Sequence, residues 1–139
     1  MTKPHWLNPS TSGSTPSTVV VFDTETRVKR DRGMEVLTLR CWDALIRLRG
    51  HQWAAVGLTE PRSGETPAGL ADVLESAAGL HGEAWAFAHN LGFDLTVTSL
   101  PAVLVDRGWE VPFVAIGDET ATFAFKRDDD KLVVTDAWS

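Results

Sequence analysis

Several things are scarce in this sequence. It holds one cysteine, Cys41, among 139 residues, which excludes an internal disulfide framework and any cysteine-rich zinc module. Tyrosine is absent. No stretch approaches the roughly 18 apolar residues of a membrane span, and the first residues lack the apolar centre of a secretory signal. The cytoplasm is therefore the expected compartment, with no membrane partner. Positive charge is also short: 13 Lys and Arg face 19 Asp and Glu, a net of −6. That balance argues against gripping nucleic acid by bulk charge. The four histidines, His5, His51, His81 and His89, are scattered without metal-ligand spacing.

What is present is ordinary for one globular domain. Hydrophobic residues make up 43% and charged residues 23%, enough for a single core and not for two. The charge is uneven. Residues 1–62 carry nine Lys/Arg against six Asp/Glu, whereas residues 63–139 carry four against thirteen. An acidic protein can still process a polyanion when bound divalent cations reverse the field locally.

Residues 1–17, with the Pro/Ser/Thr/Gly-rich run from Asn8, read as a flexible leader to a domain over 18–139. Val19-Val20-Val21-Phe22 is a short apolar run, as in a strand buried on both faces, and it ends in Asp23-Thr24-Glu25-Thr26. Residues 34–48 alternate as a second strand, and a third is expected over 52–58 with its turn at Gly50-His51. Thr66-Pro67 starts a helix over 67–79, stopped by Gly79 or Gly82. A strand over 84–88 leads into His89-Asn90-Leu91-Gly92-Phe93-Asp94. A helix is expected over 95–107, with a kink or new start after Ser99 forced by Pro101. Strands over 111–116, 120–126 and 131–136 complete a meander. The order β-β-β-α-β-α-β-β-β points to a mixed sheet flanked by helices, an α/β fold.

Two groups of residues carry chemistry. Asp23 and Glu25 are two apart at the end of a strand, so their carboxylates point the same way. Adjacent carboxylates repel unless a cation sits between them, and Mg²⁺ is served by one or two carboxylates with water and substrate phosphate. Asn90 and Asp94 span the turn from the second buried strand into a helix, where an Asn cap with Asp in the first turn also has a purely structural use.

Together, Val-Val-Val-Phe-Asp-Thr-Glu-Thr and Phe-Ala-His-Asn-Leu-Gly-Phe-Asp, roughly 65 residues apart, resemble the first two motifs of DEDD 3′–5′ exonucleases. Those enzymes have an RNase H-like fold. The wording is most similar to the exonuclease domain of protein-primed family B DNA polymerases. The resemblance implies a proofreading-type hydrolase acting on the 3′ end of single-stranded DNA. Asp23, Glu25 and Asp94 would be catalytic and hold two Mg²⁺ or Mn²⁺ ions, roughly 3.5–4 Å apart in such sites. It further implies substrate contacts from Asn90, Phe93 and the main chain at Thr24 and Thr26, and a polymerase domain in the same longer chain.

The sequence departs from the family in one respect. The fourth carboxylate should follow a Tyr or His by four residues on a late helix, and no such pattern follows residue 94. The RNase H-like fold is then expected to be incomplete at the C-terminus and the chain alone weakly active or inactive. Asp136 is expected as a strand-end turn residue rather than a metal ligand. The rival expectation is a non-catalytic nucleic-acid-binding remnant of the same fold, and an RNase sharing the carboxylates is a third.

Of the lesser features, Arg27, Lys29, Arg30 and Arg32 are either a guide for a nucleic-acid backbone or a solvated hairpin loop. Trp42, Trp53 and Trp85 are expected in the core, Cys41 as a buried inert thiol, and Asp128 to Asp130 as a solvated turn.

Overall fold

The computed structural model describes residues 17–48, 61–117 and 120–136; the side chains of Pro61 and Phe93 lie outside the described set. The elements run β1 (Thr18–Asp31), β2 (Met34–Leu48), β3 (Pro61–Gly64), α1 (Pro67–His81), β4 (Glu83–Ala88), α2 (Leu91–Thr98), α3 (Leu100–Asp106), β5 (Glu110–Ile116), β6 (Ala121–Arg127) and β7 (Asp130–Asp136). The strands form one seven-stranded mixed sheet in the order β3-β2-β1-β4-β7-β6-β5. β4 lies parallel to both β1 and β7, and the other pairings are antiparallel. The expected mixed α/β sheet with helices is what the chain builds. No helix among the described residues is long and apolar enough to cross a membrane.

β1 is longer than the apolar run at its start. It continues through Asp23–Thr26 and the basic cluster to Asp31, paired with β2 along its whole length. The β-branched residues Thr24, Thr26 and Val28 at alternate positions suit a pleated strand. Arg32 and Gly33 then turn the chain, both at positive φ (53° and 79°), as a two-residue type I′ hairpin demands. The basic cluster is thus strand rather than loop except at Arg32. All but Ser17 of the leader expected over 1–17, the strand expected over 52–58 and the turn at Gly50-His51 lie outside the described residues. The strand found beyond them, β3, pairs Gly64 with Trp42 and Pro61 with Leu45.

α1 starts and stops by capping chemistry. The Thr66 hydroxyl accepts from the Gly69 N–H at 3.1 Å, and Gly82 closes the helix in the left-handed region at φ 82°. Only a residue without Cβ adopts that conformation at little cost, which decides between the two candidate glycines. The helix expected over 95–107 is two. α2 begins at Leu91, Ser99 breaks it at φ 51°, and Pro101 sits in the first turn of α3, where its missing N–H is harmless.

Leu70, Ala71, Val73, Leu74, Ala77 and Ala78 of α1 pack into one core with Val20, Phe22, Phe125, Leu132 and Val134. The central strand contributes Ala84, Ala86 and Ala88, all fully buried. Their small side chains let the helix approach closely. On the other face Trp85 and Phe87 are half-buried, their rings 6.2 Å apart. Of the tryptophans expected in the core, Trp42 is there. Its indole N–H donates to the Thr66 carbonyl at 2.7 Å, and its ring lies where a Cβ on Gly64 would come within 2.6 Å. Trp85 is on the partly open face, Trp53 is outside the described residues, and Trp109, which the sequence did not single out, is buried.

Candidate functional site

β4 and β7 end side by side, next to the point on β1 where its apolar run gives way to Asp23. Phe22 of β1 is in register with Ala88 of β4, and Ala88 with Asp136 of β7. Asp23 follows Phe22, and the Asn90–Asp94 turn follows Ala88. The carboxyl ends of adjacent parallel strands are where α/β sheets commonly form a ligand crevice.

Asp94, in the first turn of α2, is buried at 1% exposure. The Thr24 hydroxyl donates a short hydrogen bond to its Oδ1, while Oδ2 is buried with no hydrogen-bond partner among the described residues. Burial lifts the Asp94 pKa above the ordinary aspartate value. The Thr24 hydrogen bond opposes this, the charges of Asp23 and Asp136 add to it, and His89 opposes it slightly. A buried acceptor left unpaired is costly, more so when charged.

Asp136 is the contrasting case. It ends β7, as expected of a strand-end residue, but it is buried: Oδ1 accepts the Leu91 N–H at 2.9 Å and Oδ2 accepts the Ala121 N–H. It thereby pins the start of α2 to the start of β6. This signal was invisible in sequence, because the two amides come from positions 45 and 15 residues away. Asn90 occupies the N-cap position, but its side chain makes no capping bond. Asp136 satisfies the helix start in its place. The exposed Asn90 lines a cleft of about 180 Å³ with Gly92, Ile116 and Thr120.

Asp23 and Glu25 share one face of β1, as their spacing requires, but it is the exposed face; Thr24 between them is buried on the side of Asp94. The Thr24 amide, expected to meet a substrate sugar, donates instead to Asp23 Oδ1 at 2.9 Å. Glu25 Oε2 lies 3.7 Å from the Cys41 thiol and 3.9 Å from Arg40. Thr26 is half-buried beside a register shift between Glu25 and Thr26. Cys41 is not buried but half-exposed on this face. Partial burial and the charges of Glu25 and Asp43 push its thiol pKa up, which keeps it an unreactive thiol.

The structure therefore brings Thr24, Asp94 and the backbone-bound Asp136 together, with Asp23 close enough to act on Asp94 through its charge. It does not gather Asp23, Glu25 and Asp94 into one cage. Among the described residues no three His, Cys, Asp or Glu side chains stand close enough to hold a metal ion. A magnesium site needs fewer protein ligands, since one or two carboxylates with water and substrate phosphate suffice. The unpartnered Asp94 Oδ2 suits that use. No family model, curated protein or solved structure matches this chain.

Proposed function

We propose that this chain carries the nucleotide-removing site of a metal-dependent 3′–5′ exonuclease, of the proofreading type found in family B DNA polymerases, on an RNase H-like fold. The observation that carries this reading is the buried, unpartnered Oδ2 of Asp94, near Asp23 where the end of β4 meets the middle of β1. A carboxylate oxygen without a donor, in a site already loaded with negative charge, is stabilised by a cation. The two motifs resembling those of the exonucleases lie on or just after the two strands that meet there, β1 and β4. The sheet order supports the fold reading, with the hairpin β1–β2 and strand β3 on one side of the parallel pair β1–β4.

In this reading Asp94 and Asp23 are the carboxylates that would hold Mg²⁺ or Mn²⁺. Such an ion would supply Lewis-acid stabilisation to a bound phosphodiester. The protein's own part is positional. Thr24 fixes the Asp94 carboxylate through Oδ1 and leaves Oδ2 without a donor, which is the oxygen that would serve the ion. Asp136 fixes the helix that carries Asp94. Asn90, exposed and free of capping duty, presents an amide to the terminal nucleotide. Glu25, on the exposed face, orients water or substrate rather than sharing the Asp94 ligand position. The substrate is a DNA 3′ end, and a polymerase domain in the same longer chain is the implied partner.

The test pairs two measurements. Mn²⁺ should raise the melting temperature of the parent protein but not of Asp94→Asn, and 3′-labelled single-stranded DNA should be shortened only with Mg²⁺ or Mn²⁺ present. Digestion that survives both Asp94→Asn and Asp23→Asn defeats the assignment. A second reading, a nucleic-acid-binding domain without catalysis, is favoured by the exposed orientation of Asp23 and Glu25 and by the absence, among the described residues, of a three-ligand group. DNA binding with neither digestion nor Mn²⁺ stabilisation would establish it.

A further inference from the structure

The outer parts of β1 and β2 form a ribbon that pairs with nothing else among the described residues. β4 pairs only with Val19–Phe22 of β1, and β3 only with Trp42–Leu45 of β2. From Thr26↔Leu39 to Asp31↔Met34 the two strands hold only each other, a projection of about 20 Å at the usual rise per residue. Residues 27–37 are all exposed.

The charge of this ribbon opposes that of the chain. Between residues 26 and 40 there are five Lys/Arg against two Asp/Glu, in a protein of net charge −6. Two of the five are paired within the hairpin, Arg30 with Glu35 at 3.5 Å and Arg40 with Glu25 at 3.9 Å. Arg27, Lys29 and Arg32 have no hydrogen-bond or ion-pair partner among the described residues.

Their placement gives the charge a direction. Side chains alternate along β1, so Arg27 and Lys29 follow Asp23 and Glu25 along the same face. The register shift is taken up by the partner strand, where Arg40 is the extra residue between Leu39 and Cys41. Such a bulge bends the ribbon and increases its twist at its root. Opposite Arg27 and Lys29 stand Thr38 and Val36, and Met34 stands opposite Asp31. One face thus carries cations and exposed apolar side chains, leading away from the proposed nuclease carboxylates, with Arg32 at the tip.

We infer that this ribbon is a track for nucleic acid: it holds the sugar–phosphate backbone of the single strand whose 3′ end enters the site at Asp23 and Asp94. The inference rests on the proposed nuclease reading for the direction of the strand. Arg27, Lys29 and Arg32 contact phosphates, while Val36 and Met34 offer an apolar surface to the bases. Recognition is independent of base sequence, because cations on phosphates carry no sequence information. The acidic remainder of the molecule confines the polyanion to this arm.

The experiment is a salt series of anisotropy measurements with a labelled oligothymidylate, in EDTA so that no divalent ion takes part. Three proteins are compared: the parent, the triple variant Arg27→Gln, Lys29→Gln, Arg32→Asn, and a control, Lys126→Gln with Lys131→Gln. Asn is chosen at position 32 because it tolerates the positive φ there. The triple variant should lose at least tenfold in affinity at low salt. Its plot of log K against log salt should flatten by about 2, at about 0.7 per lost single-strand phosphate contact. Its melting temperature should match the parent's, and the control should bind within about twofold of the parent. The inference is overturned if the parent does not bind, if the triple variant keeps the parental affinity and slope, or if polyglutamate binds the parent as tightly as the oligonucleotide. Chelation separates this result from the nuclease assay. Binding that follows the ribbon charges without any Mg²⁺-dependent digestion removes the nuclease reading and leaves the track, whereas digestion without ribbon-dependent binding removes the track alone.

Discussion

Two regions of this molecule concentrate arginine, and they use it in opposite ways. Behind α1, Glu75 lies 2.8 Å from both Arg107 and Arg127 and accepts the Trp109 indole N–H at 2.8 Å; Arg107 also reaches Asp72 at 2.7 Å. Arg127 lies over the Trp109 ring, 4.7 Å from its centroid. Every charge there is matched; Glu75, Arg107 and Arg127 are half-buried, and Arg127 is braced by an aromatic face. On the β1–β2 ribbon, Arg27, Lys29 and Arg32 are exposed and have no acidic partner among the described residues. Matched charge between packed elements fixes their relative position. Unmatched charge on a projection contributes nothing to the fold and is available to a partner. The two buried aspartates repeat the lesson at one strand edge: Asp136 has both oxygens filled by backbone amides, and Asp94 has one oxygen left over.

The largest effect that would break this contrast is expected at Glu75. Glu75→Ala leaves two arginines and an indole N–H without their acceptor and should cost about 3 kcal/mol in urea unfolding. Burial raises the Glu75 pKa, but the hydrogen bonds from Trp109 and Arg107 and the two arginine charges outweigh it, and the net direction is downward. Its stabilisation is therefore present above the unfolded glutamate pKa and is lost as pH falls through the lower folded value. The acid limb of the stability profile should shrink in the variant.

Asp136→Ala should follow at about 2 kcal/mol, since it leaves the buried Leu91 and Ala121 amides without acceptors. Its unfolding midpoint should drop while the Glu75 cluster keeps its pH signature. Thr66→Ala removes the α1 cap and should cost about 1 kcal/mol by the same measurement.

Asp94 tests the sign rather than the size. Its folded-state pKa is raised, chiefly by burial, so the folded state binds the proton more tightly. Its own contribution to stability should be largest below the unfolded aspartate pKa and fall as pH rises through the interval up to the folded value, opposite in sign to that of Glu75. Asp94→Asn should remove that fall and, without divalent ions, leave the protein more stable than the parent at neutral pH. The smallest effect is expected at the ribbon, where Arg27→Gln with Lys29→Gln should change stability by less than about 0.5 kcal/mol. A larger loss in thermal melts would show that those charges are structural after all.

Local signals were legible where the cause was local. Thr66-Pro67 before an apolar period of three and four gave the start of α1, Pro101 gave the break at Ser99, and alternation over 34–48 gave β2. The length of β1 was not legible. Nothing near Asp23 dictates that a polar, basic stretch continue as strand; the partner β2 decides it through backbone pairing. The candidate site divides in the same way. The spacing of Asp23 and Glu25 fixed that they share a face, but which face depends on the side from which α1 and α2 pack.

The sequence by itself determined the alternating and helical periods, the capping residues, and the placement of acidic residues just after two apolar strands, because these depend on backbone sterics and nearest neighbours. Only the tertiary structure decided that β4 and β7 end beside Asp23 of β1, that Asp136 is consumed by amides from two other elements, and that one oxygen of Asp94 is left unpartnered. Hydrogen-bond satisfaction in a buried site is settled by groups brought from distant positions, and the pattern along one stretch of chain does not contain them.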